Sequence, residues 1–141
     1  MAGILLDTNV LSELMRAQPA PEVLDWFARQ QAASFFVCAI TRAEILLGIA
    51  LLPAGKRRDK LAETAEQMFA EDFAGRCLPF DDACATEYAV CVAARTHQGR
   101  AISTEDAQIT SVAVVHGLSL ATRNDKDFKG IQGLTVLNPW A

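Results

Sequence analysis

The strongest constraint on the fold is an alternation that runs the length of the chain. Short apolar segments, too brief for helices, are each followed by a stretch of helical periodicity. Gly3 to Leu6 is the first such run, and it stops at Asp7-Thr8-Asn9, residue types that open helices. Val10, Leu11 and Leu14 carry a short helix to about Arg16. After a turn through Pro19, Pro21 suits the first turn of a helix bearing Val23, Leu24 and Phe27. Ser34 to Ile40 is apolar almost throughout and rich in β-formers, as strands covered on both faces are. Thr41 opens a helix ending near Pro53. A long amphipathic helix is predicted from about Lys56 to Phe73, with Leu61, Ala65, Met68, Phe69 and Phe73 at helical spacing. Cys77 to Phe80 reads as a strand, and Asp81 opens a helix carrying Cys84, Tyr88, Cys91 and Val92 on one face. Ser103 to His116 is a further helix, with Gly117 as its C-cap. Leu118 to Thr122 and Leu134 to Leu137 complete the strands.

Strands alternating with helices predict an α/β fold: a mainly parallel central sheet with helices on both faces, three layers in all. The 141 residues fit one domain spanning 1–141, and a hydrophobic share of 51% supplies its core. No apolar stretch approaches the roughly 20 residues of a membrane span. The N-terminal residues lack the basic region of a signal peptide, so the chain is read as cytoplasmic. With 17 acids against 13 bases, a broad basic footprint for nucleic acid is excluded. An enzyme that neutralises phosphate with metal ions is not. Cys38, Cys77, Cys84 and Cys91 form no C-x-x-C pair and no zinc-like spacing with His97 or His116, and are read as core residues.

In a parallel sheet of this kind, ligands bind beyond the C-terminal ends of the strands. Asp7 directly follows the first strand. Glu44 is predicted in the first turn of the helix after the second strand, and Asp106 in the first turn of the helix beginning near Ser103. Asp125 and Asp127 follow the strand ending at Thr122. Four or more acids at one sheet edge repel one another, and a divalent cation is the cheapest way to hold them ionised. Oxygen-only donors suit Mg²⁺ or Mn²⁺, and acids holding such ions are the usual apparatus of phosphodiester hydrolysis. Structural readings compete. Thr41-x-x-Glu44 and Ser103-x-x-Asp106 both match the capping box, and Asn124-Asp125-Lys126-Asp127 is turn-forming. Asp7 has no such structural excuse. No phosphate-loop, dinucleotide or nucleophile-elbow motif is present.

Ile4-Leu5-Leu6-Asp7-Thr8-Asn9, Thr41-Arg42-Ala43-Glu44-Ile45-Leu46-Leu47-Gly48, Asp106-Ala107-Gln108-Ile109 and Ala121-Thr122-Arg123-Asn124 together resemble a PIN-domain ribonuclease. The likeness is to the VapC and FitB-like toxins of type II toxin–antitoxin pairs, and it covers essentially the whole chain. The resemblance implies a PIN fold and an endoribonuclease dependent on Mg²⁺ or Mn²⁺. It also implies a homodimer neutralised by a small antitoxin, an RNA substrate, and products bearing a 5′-phosphate and a 3′-hydroxyl. Asp7, Glu44 and Asp106 match the family's acidic positions, with Asp7 and Asp106 holding the metal and Glu44 orienting the attacking water. Asn124 stands where many PIN domains have an aspartate, so Asp125 or Asp127 substitutes, or the site uses three acids; Asp125 is the catalytic candidate. Thr8, Thr122 and Asn124 are supporting residues, and Asn9 orders the loop. An antitoxin arginine or lysine among the carboxylates would block the metal position.

Two other readings stand beside this one. A PIN scaffold could bind RNA or a protein without cutting. A phosphatase of the haloacid dehalogenase kind also begins with an apolar strand and an Asp, but it wants Asp-x-Asp-x-Thr, and the second position here is Asn9.

Overall fold

A computed structural model describes residues 3–30 and 32–141. Five strands form one parallel sheet: β1 (Gly3–Leu6), β2 (Ser34–Cys38), β3 (Cys77–Leu78), β4 (Ser119–Ala121) and β5 (Val136–Leu137). They lie in the order β3-β2-β1-β4-β5. The chain therefore works outward from β1 to one edge, then crosses back to β4 on the other side of β1. The order reverses between β1 and β4, and that reversal opens a crevice at the strands' C-terminal ends.

Six α-helices cover the two faces: α1 (Thr8–Leu14), α2 (Pro21–Arg29), α3 (Ala39–Ala50), α4 (Lys56–Gln67), α5 (Asp82–His97) and α6 (Thr104–Val115). The strand period of two divides the apolar residues between two cores. Ile4, Leu6, Val37 and Ala121 face Val10, Leu11, Trp26, Ile45, Ile49, Ala65, Met68 and Phe69 from α1–α4 and the turn after them. Leu5, Cys38 and Leu120 face the opposite way, against Cys84, Ile109, Val112 and Ala113 of α5 and α6. The predicted three-layer arrangement is the one observed.

Local departures from the expected boundaries have physical causes. The helix expected from Lys56 to Phe73 leaves α-geometry at Met68, where a single π turn (Met68–Asp72) swings Met68, Phe69 and Phe73 into the first core. The helix expected to open at Thr41 begins two residues earlier, with Cys38 as N-cap. The Thr41 hydroxyl reaches back, accepting from the Cys38 N–H at 3.2 Å and donating to the Cys38 carbonyl at 2.9 Å. Thr41 is thus the third helical residue, and Glu44 sits in the second turn. The Thr41-x-x-Glu44 capping box is corrected accordingly: Glu44 caps nothing. At the far end of α6, Gly117 takes a left-handed φ of 65°, as its C-cap position asks.

Cys38, Cys84 and Cys91 are free and buried, and burial pushes all three thiols up, away from reactive thiolate. Among the described residues no helix is long and apolar enough to cross a membrane.

Candidate active site

Asp7 is the hinge of the site. It ends β1 and serves as N-cap of α1, its Oδ1 accepting from the Thr8 N–H at 2.8 Å, which corrects the expectation that Asp7 has no structural role. Its Oδ2 accepts from the Thr122 hydroxyl at 2.7 Å, a bond joining the ends of β1 and β4 across the crevice. Thr122 is fully buried, and its Oγ1 also accepts from the Asn124 N–H at 3.1 Å and the Asn9 amide at 3.3 Å. Asn9 completes the tie by accepting from the Arg123 N–H at 3.1 Å. Asn9 therefore orders the corner between β1 and β4.

Asp7 is only 5% exposed. Burial pushes its carboxyl above the ordinary range; the Thr122 and Thr8 bonds oppose that, while the charges of Glu44 and Asp127 add to it. Glu44, half-buried on α3, accepts from the Thr8 hydroxyl at 2.8 Å. Asp106 occupies the first turn of α6, where Ser103 is the N-cap and accepts from the Asp106 N–H at 3.1 Å. Burial raises the Asp106 carboxyl too, and Asp7, Asp127 and Glu105 push it further. Asp7, Glu44 and Asp106 are thus gathered at the edge where their strand ends put them.

The two acids that follow Thr122, Asp125 and Asp127, are placed differently. The segment after β4 winds into a 3₁₀ turn, Asp125–Phe128, anchored by the buried Phe128. Asp127 is the acid of this turn whose charge acts on both Asp7 and Asp106. Asp125 instead borders a hollow with Lys126, Phe128, Leu134 and Val136. A 3₁₀ helix, with three residues per turn, separates the directions of positions 125 and 127, which periodicity could not resolve in a four-residue polar run. Asn124 is exposed and contributes its backbone N–H, to Thr122.

Among the described residues no three His, Cys, Asp or Glu side chains converge closely enough to form a metal site. The carboxyls act on one another through charge without forming a coordination shell. The donor chemistry nonetheless fits a hard cation: every side-chain donor is an oxygen, and two of the acids are raised by burial, with neighbouring acids adding to it. The sole ion pair among the described residues joins Arg16 to Glu13, away from these acids.

Residues 4–134 match the PIN domain model. A plasmid stability protein, StbB, of Pseudomonas syringae is 44% identical over 97% of this chain and 98% of its own. The VapC ribonuclease Y4jK of Sinorhizobium fredii is 41% identical, over 97% of each chain. Toxin FitB of Neisseria gonorrhoeae is 43% identical over 97% of this chain and 98% of its own. A solved structure of FitAB bound to an IR36 DNA fragment superposes with a TM-score of 0.88 at 39% identity, covering 98% of this chain and 96% of that one. The chain belongs to the PIN domain family. That membership sets the dehalogenase-like phosphatase reading aside.

Proposed function

We propose that this chain is the toxin of a toxin–antitoxin pair and a Mg²⁺- or Mn²⁺-dependent endoribonuclease acting in the cytoplasm. The observation that carries the reading is the placement of Asp7, Glu44, Asp106 and Asp127 near the β1–β4 crevice of a PIN fold, where their charges act on Asp7 and Asp106 and no ion pair joins any of the four among the described residues. It is supported by relatives named as a VapC ribonuclease and as a toxin.

Asp7 and Asp106 would hold the metal. When bound, the ion polarises the scissile phosphate and stabilises the leaving oxygen. Glu44, held by Thr8, orients the attacking water and accepts its proton. Thr122 and the Thr8 N–H favour the charged form of the Asp7 carboxyl against its burial and fix both of its oxygens. Asp127 takes the fourth acidic position in place of Asp125. A protein partner is supported by Leu46, Leu47 and Leu51, exposed by 41%, 59% and 75% on and just after the helix that carries Glu44. A small antitoxin or a second copy of the chain would cover them.

One observation favours the second reading, a PIN scaffold that binds without cutting: no three acids converge. Incubating the purified protein with total RNA separates the two. Discrete cuts with Mg²⁺ or Mn²⁺, absent in EDTA and in Asp7→Asn, are expected. Metal binding with intact RNA would instead establish the scaffold.

A further inference from the structure

Arg95 lies on α5, only 4% exposed, with no carboxylate within ion-pair distance among the described residues. Its guanidinium donates instead to two backbone carbonyls, from Nη1 to Lys129 at 3.0 Å and from Nη2 to Asp127. Its Nε is buried with no partner. Burying a guanidinium is expensive, and two neutral carbonyls compensate it poorly; a methionine would fill this position with no such penalty. Stability alone therefore does not account for the residue.

What its two acceptors share is the turn that presents Asp127. They flank Phe128, which is 1% exposed in the core between the sheet and α6. At the ends of the turn the Asp127 N–H donates to the Asn124 carbonyl at 3.0 Å and the Lys129 N–H to the Lys126 carbonyl at 3.4 Å. The Asp127 carboxyl makes no hydrogen bond of its own among the described residues, so its placement depends on the backbone of the turn that carries it. The chain leaves the turn at Gly130, whose φ of 80° favours glycine and whose missing Cβ leaves room for the Arg100 guanidinium. Arg95 thus makes a long-range polar tie between α5 and the segment carrying Asp127.

We propose that Arg95 is a positioning residue: by clamping the Asp127 and Lys129 carbonyls it fixes the Asp127 carboxyl toward Asp7 and Asp106. This rests on the ribonuclease reading and extends it to a residue far from the crevice in sequence.

The test is a double-mutant cycle in the full-length protein, with Arg95→Met, Arg95→Lys, Asp127→Asn and Arg95→Met/Asp127→Asn. Steady-state cleavage of an RNA oligonucleotide and Mn²⁺ binding by calorimetry are both read. Arg95→Met should lower kcat and weaken Mn²⁺ binding by about 10- to 100-fold, as loss of outer partners of metal ligands does, and leave KM unchanged. Arg95→Lys should recover part of both, because an ammonium can still reach one carbonyl. In the Asp127→Asn background, Arg95→Met should add little further loss. Additive losses, or unchanged kcat and Mn²⁺ affinity in Arg95→Met, overturn the proposal. If Arg95→Met does not fold, the same cycle with Arg95→Lys decides. If the parent binds Mn²⁺ but cuts no RNA, the ribonuclease reading falls, and the clamp stands or falls on the Mn²⁺ affinities alone.

Discussion

Replacing Thr122 with valine tests whether the crevice is built to hold a charge. The two side chains are nearly isosteric, so at this fully buried position no cavity opens and the change is chemical. Valine removes the 2.7 Å bond to Asp7 and the acceptor for the Asn124 N–H and the Asn9 amide. Asn124 is exposed, and the Asn9 amide can turn to water, so the bond to Asp7 dominates. A hydrogen bond to a charged group contributes about 1.5–3 kcal/mol, against about 0.5–1.5 for a neutral one. The expected loss is therefore about 2 kcal/mol where Asp7 is ionised and about 1 kcal/mol where it is protonated. The sign follows from linkage. The Asp7 carboxyl is raised in the fold, so its contribution is fully present below the unfolded carboxyl value and is lost as pH rises through the folded one. Thr122 is the largest influence opposing that rise; without it the loss runs on to a still higher folded value and is larger at neutral pH. Urea unfolding in EDTA, followed by the fluorescence of the buried Trp26, should show the wild-type-to-variant gap widening by about 1 kcal/mol from pH 4.5 to pH 8. An equal gap at both pH values would mean that the hydroxyl serves the Asn124 backbone rather than the Asp7 charge. A gap under about 0.5 kcal/mol at pH 8 would mean the bond does not form in solution.

Metal should act in the opposite direction to pH alone: Asp7 and Asp106 are both raised, so the metal-free fold loses their contribution as pH climbs, and Mn²⁺ at about 100 times its Kd should restore about 2.7 kcal/mol at pH 8 but far less at pH 4.5 in a thermal-shift assay. A pH-independent shift would place the ion elsewhere. Ser103→Ala removes the N-cap of α6 and should cost about 1 kcal/mol by urea unfolding, with Asp106 pushed higher because the Ser103 bond opposes its rise. Leu5→Ala empties a fully buried position between the sheet and α6 and should cost about 2–5 kcal/mol, read the same way.

The layers and strand positions were legible because period-two strands and period-3.6 helices follow from where apolar residues stand. Asp7 was legible for a related reason: an acid ending an apolar run has nowhere to go but the sheet's C-terminal edge. Glu44 was found for a partly wrong reason, since its helix begins at Ala39 and Thr41 satisfies Cys38. That correction strengthens its candidacy by removing the capping role. The different placement of Asp125 and Asp127 was not legible, because a short 3₁₀ turn sends positions two apart in directions that polar composition does not record. Arg95 carried no signal at all. In sequence it is one more charged residue near a helix C-terminus, where the helix dipole explains it, and only the carbonyls of residues 32 and 34 positions away give it a purpose.

A carboxyl buried at a crevice can be kept ionised by a permanent cationic partner or by neutral donors. An arginine against Asp7 would hold its charge more firmly, but it would also occupy the position where a substrate metal or phosphate must come. The structure uses a hydroxyl and one backbone N–H, which direct both oxygens and leave the negative charge uncancelled. Glu44 is treated in the same way by the Thr8 hydroxyl. Arg95 meets the Asp127 backbone, not its carboxylate. Polar donors thus fix the geometry of these acids while their charge is left for something that arrives from outside, and that is the electrostatic form a cation-dependent nuclease requires.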